Sequence, residues 1–436
     1  MRPTSYEAAR PHRTARRLVP ALALSMILSA VGPASGTQPP AAANPAVITT
    51  WNQHAIATLT LAPASGGPGK VPPEVFLYLS FVHAAMYNAV NGITGEYELY
   101  RWEARAPVGA SPEAAAAVAA HRVLRHYFGN LGTIGADLDT KLAASLDAIP
   151  DGVAKSQGIR YGRRAADRMI ALRANDGRNA TVTVPQATEP GDWEPTPGVS
   201  GFLNPWYGYI EPMAVADVTA FDPGPPPQIG SDLYRAEFEE VRDYGALVSA
   251  VRTPEMTGTA LFFAQTPIAI QGGVRRFATE HGLDISASAR LFVAVEFSLA
   301  DALQAVWYAK HKYMWWRPIT AIRQAETDGD PLTAGDPEWT SLLPAPPYPE
   351  WPSGLCSVIG AVSTVTSRFN GGALDLRIAT PSAGERHYTD AATFHQDAVD
   401  ARVWSGIHFR TADEKSIDIG MAVGNYVLDH YFAPAN

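Results

Sequence analysis

The stretch VFLYLSFVHAAMYNAV, Val75–Val90, is apolar at Val75, Leu79, Val82, Met86 and Val90. Spacings of three and four place these side chains along one stripe of an α-helix, whereas a half-buried strand alternates by twos. The same period recurs outward along the chain, at Pro112–Phe128 behind Ser111 as N-cap, Thr133–Leu146 and Val153–Arg173. It returns at Leu233–Tyr244, Pro254–Phe263, Ser286–Trp307 and Leu355–Phe369, and from Ala391 to the C-terminus. No alternating strand pattern competes, so the expected fold class is all-α. One segment breaks the rhythm: residues 177–230 fill with Pro, Gly and aromatic residues (PGDWEPTPG, NPWYGYIEP, DPGPPPQIG). So long an irregular crossing is unusual inside a compact domain. It is expected to wrap over the helices, pinned by Trp193, Trp206, Tyr207 and Tyr209.

The N-terminus has a different character. Arg10, Arg13, Arg16 and Arg17 precede the apolar run Leu18–Val31 and the small residues Ala34, Ser35 and Gly36, which is the layout of a signal peptide over residues 1–36. The run contains Pro20 and is shorter than the roughly 20 apolar residues of a spanning helix, so a secreted or extracytoplasmic protein without a stable membrane anchor is expected. Residues 37–50, TQPPAAANPAVITT, read as a flexible spacer, and residues 51–436 as the helical domain. Of 34 basic and 43 acidic residues, residues 1–36 hold five and one, which leaves the remainder at −13. Such a balance disfavours a nucleic-acid partner, whose phosphates demand a basic surface. The single cysteine, Cys356, cannot form an intrachain disulfide, so stability rests on packing. An inert buried thiol is the expected state for it.

Three stretches between residues 310 and 410 carry chemistry. In KHKYMWWRPITAIR, Lys310 and Arg317 stand seven apart, about two helical turns, and Pro318 is expected to end the helix just after them. In PPYPEWPSGLCSVIGAVSTV, a proline-rich loop feeds a helix, with Ser353 as its natural N-cap and Gly354 allowing close approach of a ligand to free amides. In DARVWSGIHFRTAD, Arg402 and His408 are six apart, and Gly406 supplies the bend that brings both to one side. Each stretch alone also suits ordinary packing. Together they offer forked guanidinium groups, a lysine point charge, a hydroxyl, free amides and one imidazole, a set matched to a tetrahedral oxyanion.

On these motifs the chain resembles the vanadium-dependent haloperoxidases and the type 2 phosphatidic acid phosphatase superfamily that contains them. The family signature is Lys, six residues, Arg-Pro; Pro-Ser-Gly-His; and Ser-Arg, five residues, His. It is met by Lys310 with Arg317-Pro318, by Pro352-Ser353-Gly354, and by Arg402 with His408, while Leu355 replaces the first His and Ala401 the Ser. The early helices WNQHAIATL and FVHAAMYNAV extend the likeness from about Trp51 to the C-terminus. The resemblance implies two packed helical bundles with vanadate as cofactor. It implies that Lys310, Arg317, Ser353, Gly354 and Arg402 hold the oxyanion, with Lys310, Arg317 and Arg402 also polarising it, and that His408 is the vanadium ligand. It further implies hydrogen peroxide with a halide or small organic substrate as reactants. Two other readings share the pocket: a secreted phosphatase with His408 as nucleophile, and a non-catalytic oxyanion binder. Leu355 motivates the latter, because leucine cannot move the proton that the missing histidine moves. His311, Glu350, His387 and His395 are the candidates to supply that proton through folding. Aromatic residues of the long crossing leave a homodimer open.

Overall fold

The computed structural model describes residues 43–435, which form one compact unit; the expected signal peptide and most of the spacer lie outside them. Twelve α-helices follow in order: α1 Ala46–Thr60, α2 Glu74–Thr94, α3 Pro112–Phe128, α4 Ile134–Asp147, α5 Val153–Leu172 and α6 Asp232–Gly245. Then come α7 Pro254–Glu280, α8 Ile285–Tyr313, α9 Pro318–Arg323, α10 Gly354–Phe369, α11 Ala391–Trp404 and α12 Arg410–His430. The spacer expected over residues 37–50 therefore stops earlier, because α1 already starts at Ala46 and buries Ile48. A short antiparallel hairpin, β1 Leu376–Thr380 with β2 Gly384–Tyr388, departs from the purely helical expectation. Its strands bury only Leu376, Ile378 and Tyr388, too short a pattern to stand out in the sequence.

The helices form two packed bundles that share α8. On one side α2, α3 and α5 pack together, with α2 against α8; on the other α8, α10 and α12 pack mutually. This explains why α8 is so apolar: it is the one helix among the described residues long and apolar enough to cross a bilayer, yet it is buried by protein on both sides. The tight α10–α12 contact depends on Gly360 and Gly420. A Cβ on Gly360 would stand 2.3 Å from the carbonyl oxygen of Ile417, and one on Gly420 2.1 Å from that of Ser357. A second, smaller core gathers Tyr234 and Phe238 of α6, Trp316, Ile319 and Ile322 around α9, Trp339, and Val403 and Phe409. It flanks Arg317, Arg402 and His408, so burial of these neighbours, about 1.5–3 kcal/mol for each large side chain, also fixes the backbone that carries the charges.

The long crossing is indeed wrapped over the helices, but aromatics are only part of its attachment. The buried carboxylate of Asp301 on α8 accepts the amides of Met213, Ala214 and Val215 at 2.7, 2.7 and 2.9 Å. Gln304 Nε2 donates to the Ile210 carbonyl and Tyr207 Oη to that of Ala300. Trp193, Trp206 and Tyr207 are buried as expected, whereas Tyr209 is 48% exposed and reaches out to His311 instead. Three helix ends also differ. The helix expected to stop at Phe263 continues through Pro267 to Glu280. Helix α8 ends at Tyr313, four residues before Arg317, with Met314 in the left-handed conformation. Pro318 then starts α9 rather than ending α8, because a first-turn position needs no amide donor.

Gly406 behaves as its sequence position implies. It takes φ +76° between α11 and α12, and a Cβ there would lie 2.4 Å from the Gly245 carbonyl oxygen. Gly406→Ala is therefore expected to destabilise the fold by about 1–3 kcal/mol from backbone strain alone, with further loss from the clash. A thermal melt matching the parent protein would disprove this account of the bend.

Candidate oxyanion site

Three loops and helix ends meet beside α8. Lys310 comes from the last turn of α8, Arg317 from the N-cap of α9, Ser353 and Gly354 from the start of α10, and Arg402 and His408 from either side of the Gly406 bend. All five side-chain-bearing residues are buried, and Arg402, His408 and Gly354 line one large cavity.

His408 is the most constrained. Its Nδ1 lies 2.7 Å from Glu350 Oε1, and its Nε2 lies 3.2 Å from Arg317 Nη1. A guanidinium nitrogen can only donate, so Nε2 carries the lone pair and Nδ1 the proton. Glu350 Oε1 accepts that proton and also the Phe409 amide at 3.1 Å. Burial raises the Glu350 carboxyl to about 8, and its second oxygen, which has no partner, is free to carry the proton without disturbing these bonds. Burial, reinforced by Arg317, Lys310 and Arg402, holds His408 well below the usual imidazole range. The neutral ring thus presents an unprotonated Nε2.

Arg317 is held by three contacts. Its Nε donates to the Tyr348 carbonyl at 3.0 Å and its Nη1 to that of Ile407 at 2.7 Å, while its guanidinium carbon stands 5.1 Å from the centre of the Tyr348 ring. Burial lowers its pKa to about 10, which still leaves it charged at neutral pH. Lys310 is placed differently from expectation. Its ammonium donates to the carbonyls of Pro349, Glu350 and Pro352 at 2.7, 2.9 and 2.5 Å. Burial and Arg317 pull its pKa down, but three carbonyl acceptors can be served only by the ammonium form. Lys310 therefore clamps the loop before α10 and contributes charge at a distance; no hydrogen is left over for a ligand. Ser353 also departs from its expected task. It occupies the N-cap position of α10, yet its hydroxyl caps nothing.

Whether an oxyanion fits is decided by what these groups leave unused. Among the described residues, Arg317 Nη2 and Arg402 Nε are buried without a partner, and Ser353 Oγ, buried beside Asp413 and Cys356, makes no hydrogen bond of good geometry. Unmet buried donors are costly, by about 1–3 kcal/mol each and more when charged. The amides of Gly354 and Leu355 at the positive end of α10 likewise find no backbone acceptor. Several donors around one imidazole lone pair match a tetrahedral oxyanion such as vanadate or phosphate. A bare metal cation has no such cage, since no group of three His, Cys, Asp or Glu side chains gathers among the described residues.

Two functional neighbours had weak sequence signals. Glu350 was only one of four candidate proton carriers, and the fold makes it the partner of His408. Asp413 was not singled out. It is fully buried on α12, receives the Cys356 thiol at 3.4 Å, and is pushed up to about 7 by burial. Cys356 is buried, as expected, and burial and Asp413 hold its thiol far above the usual range. His311, His387 and His395 are engaged elsewhere, with Tyr209, Asp375 and Ser363 respectively. Leu355 points no proton carrier at the cavity, which it lines with its apolar side chain.

Comparison with known proteins bears on the fold and the family. Residues 290–436 match the family model of the VCPO second helical-bundle domain, the segment that carries every motif of the site. The chain is 26% identical over 402 residues to the vanadium chloroperoxidase of Curvularia inaequalis, an alignment that takes in 74% of this chain and 65% of that protein. The chain thus spans just under two thirds of the length of this curated relative. Among solved structures it is similar to a bacterial vanadium-dependent iodoperoxidase, with a TM-score of 0.75 and 22% identity over 89% of this chain and 97% of that one. It is similar also to a holo-type bacterial vanadium-dependent chloroperoxidase, with a TM-score of 0.70 and 18% identity over 89% and 98%.

Proposed function

We propose that this chain, whose residues 290–436 form a VCPO second helical-bundle domain, is a vanadate-dependent haloperoxidase that uses hydrogen peroxide to oxidise halide. The observation that carries the reading is the set of buried groups without a hydrogen-bond partner among the described residues, Arg317 Nη2, Arg402 Nε and Ser353 Oγ, together with the unprotonated Nε2 of His408, which accepts from Arg317 Nη1. When bound, vanadate supplies Lewis-acid activation of peroxide without a change of oxidation state at the metal.

The residues divide the remaining work. Arg317 and Arg402 would hold the anion's oxygens, and Ser353 with the Gly354 amide would complete the cradle. His408 would bind the vanadium through Nε2, and Glu350 keeps the ring in the tautomer that leaves that nitrogen unprotonated. Lys310 keeps the Pro349–Pro352 loop in place and adds positive potential in a site shielded from water. The partner set is thus hydrogen peroxide and a halide or small organic substrate, with export inferred from residues 1–36. A titration of the metal-free protein with vanadate, with bromide and iodide oxidation followed in parallel, tests the proposal. Saturable binding with vanadate-dependent oxidation supports it; hydrolysis of an activated phosphate ester in place of oxidation would replace it with the phosphatase reading.

Leu355 sets the expected level of activity. No side chain at that position can pass a proton to or from the anion, and such help is typically worth about 10²–10⁴ in rate. Leu355→His is expected to raise the rate of halide oxidation by about 10²-fold, the lower end of that range, because the side chain, though packed in the core, borders the cavity. An unchanged kcat/KM for peroxide in a folded, vanadate-loaded variant would show that proton transfer at this position is not limiting.

A further inference from the structure

The cavity above the oxyanion site is far larger than the anion requires. Its volume is about 1060 Å³, at the upper end of what small-molecule sites enclose. Arg402, His408 and Gly354 mark one end, and most of the remaining wall is apolar, with Phe76, Leu303, Trp307 and Ile268 among it. One other charged side chain lines it, Arg275 of α7.

Arg275 is held and aimed. Its Nη1 donates to Asn52 Oδ1 at 2.7 Å, and the Asn52 amide is itself fixed by Gln271 Oε1 and His83 Nε2, each at 3.0 Å. Its Nη2 lies 3.6 Å from where a Cβ on Gly272 would stand, and Gly272 is part of the cavity wall. Among the described residues no acceptor takes that nitrogen and Arg275 forms no salt bridge; its side chain's one hydrogen bond is the one to Asn52. On its other side Arg275 borders a shallow surface depression beside α1, so it stands at the rim of the cavity. The one charged group that perturbs it is Glu296, which is fully buried with both oxygens unpartnered. Burial pushes the Glu296 carboxyl up to about 8, so at neutral pH it does not cancel the guanidinium charge.

We propose that Arg275 anchors the carboxylate of an apolar organic substrate that fills this cavity and extends toward His408. The proposal rests on the reading of the oxyanion site as the reaction centre and adds to it the class of molecule acted upon. A half-desolvated guanidinium with a free edge on an apolar wall gains most from a ligand that pairs an anion with a hydrophobic body.

The test is made on the metal-free protein with its oxyanion site saturated by inorganic phosphate. Calorimetric titration compares 1-naphthoate with 1-naphthalenemethanol, which share the ring but differ in charge. The carboxylate is expected to bind about tenfold more tightly, Arg275→Gln to erase that preference while leaving the alcohol's affinity unchanged, and Arg275→Lys to restore part of it. Equal affinity of the two probes for the parent protein would overturn the proposal, as would a preference that persists in Arg275→Gln. A preference seen only without phosphate would also overturn it, since the carboxylate would then be sitting on Arg317 and Arg402. Should Arg275→Gln not fold, the probe pair on the parent protein and on Arg275→Lys still decides. Because none of these readings requires turnover, failure here is distinct from failure of vanadate-dependent oxidation, which is read with an uncharged halogen acceptor.

Discussion

His408→Ala is expected to lower halide oxidation by about 10²–10⁴-fold, the range over which a positioned histidine is usually felt. The variant deletes the imidazole whose unprotonated nitrogen faces Arg317, and it leaves Arg317 Nη1 still satisfied by the Ile407 carbonyl. The fold should therefore survive, and the loss should appear in turnover rather than in the melting temperature. Glu350→Gln gives a graded companion. It retains an oxygen to accept from Nδ1 and from the Phe409 amide and mimics the protonated carboxyl, so it is expected to lower oxidation by less than about tenfold, whereas Glu350→Ala, which removes that acceptor, is expected to cost about 10–100-fold, as for other groups that orient a metal-bound histidine. Unaltered oxidation by folded His408→Ala would end the assignment of this residue.

The second large effect concerns affinity. Arg402→Ala is expected to weaken vanadate binding by about 10–150-fold, since a hydrogen bond to a charged group contributes about 1.5–3 kcal/mol. Its Nε has no other partner, so the protein's stability should hardly change. Arg317→Ala should weaken binding by a similar factor and also destabilise the fold, because the carbonyls of Tyr348 and Ile407 lose their donor. The contrast between the two variants is itself informative: equal affinity loss with unequal stability loss separates anion binding from loop support. Vanadate titration curves that overlay the parent's for both variants would remove the pocket from consideration.

The helices were legible because burial imposes a period on the chain. Ser111 caps α3 in the predicted place, its hydroxyl accepting from Ala114 at 3.1 Å, and Asp232–Gly245 and Gly354–Phe369 differ from their expected bounds by a residue or so. The oxyanion motifs were legible for a different reason, since their charges sit at fixed spacings in otherwise apolar surroundings. Lys310 shows the limit of that reading. Its charge and position mark it as a ligand group, yet the three carbonyls that absorb its hydrogens belong to a loop about forty residues further along the chain.

What the sequence determined by itself is the set of helices, the residue types able to hold an oxyanion, and the absence of a histidine at Leu355, because each is encoded locally by period or by identity. Tertiary structure alone decided which groups remain free to act. It gave Glu350 to Nδ1 of His408, spent Lys310 on the backbone, left Arg317, Arg402 and Ser353 with open positions, and set Arg275 on the cavity rim. The physical reason is that a hydrogen-bonding group is available only if no other part of the fold satisfies it, and those competitors lie far away along the chain.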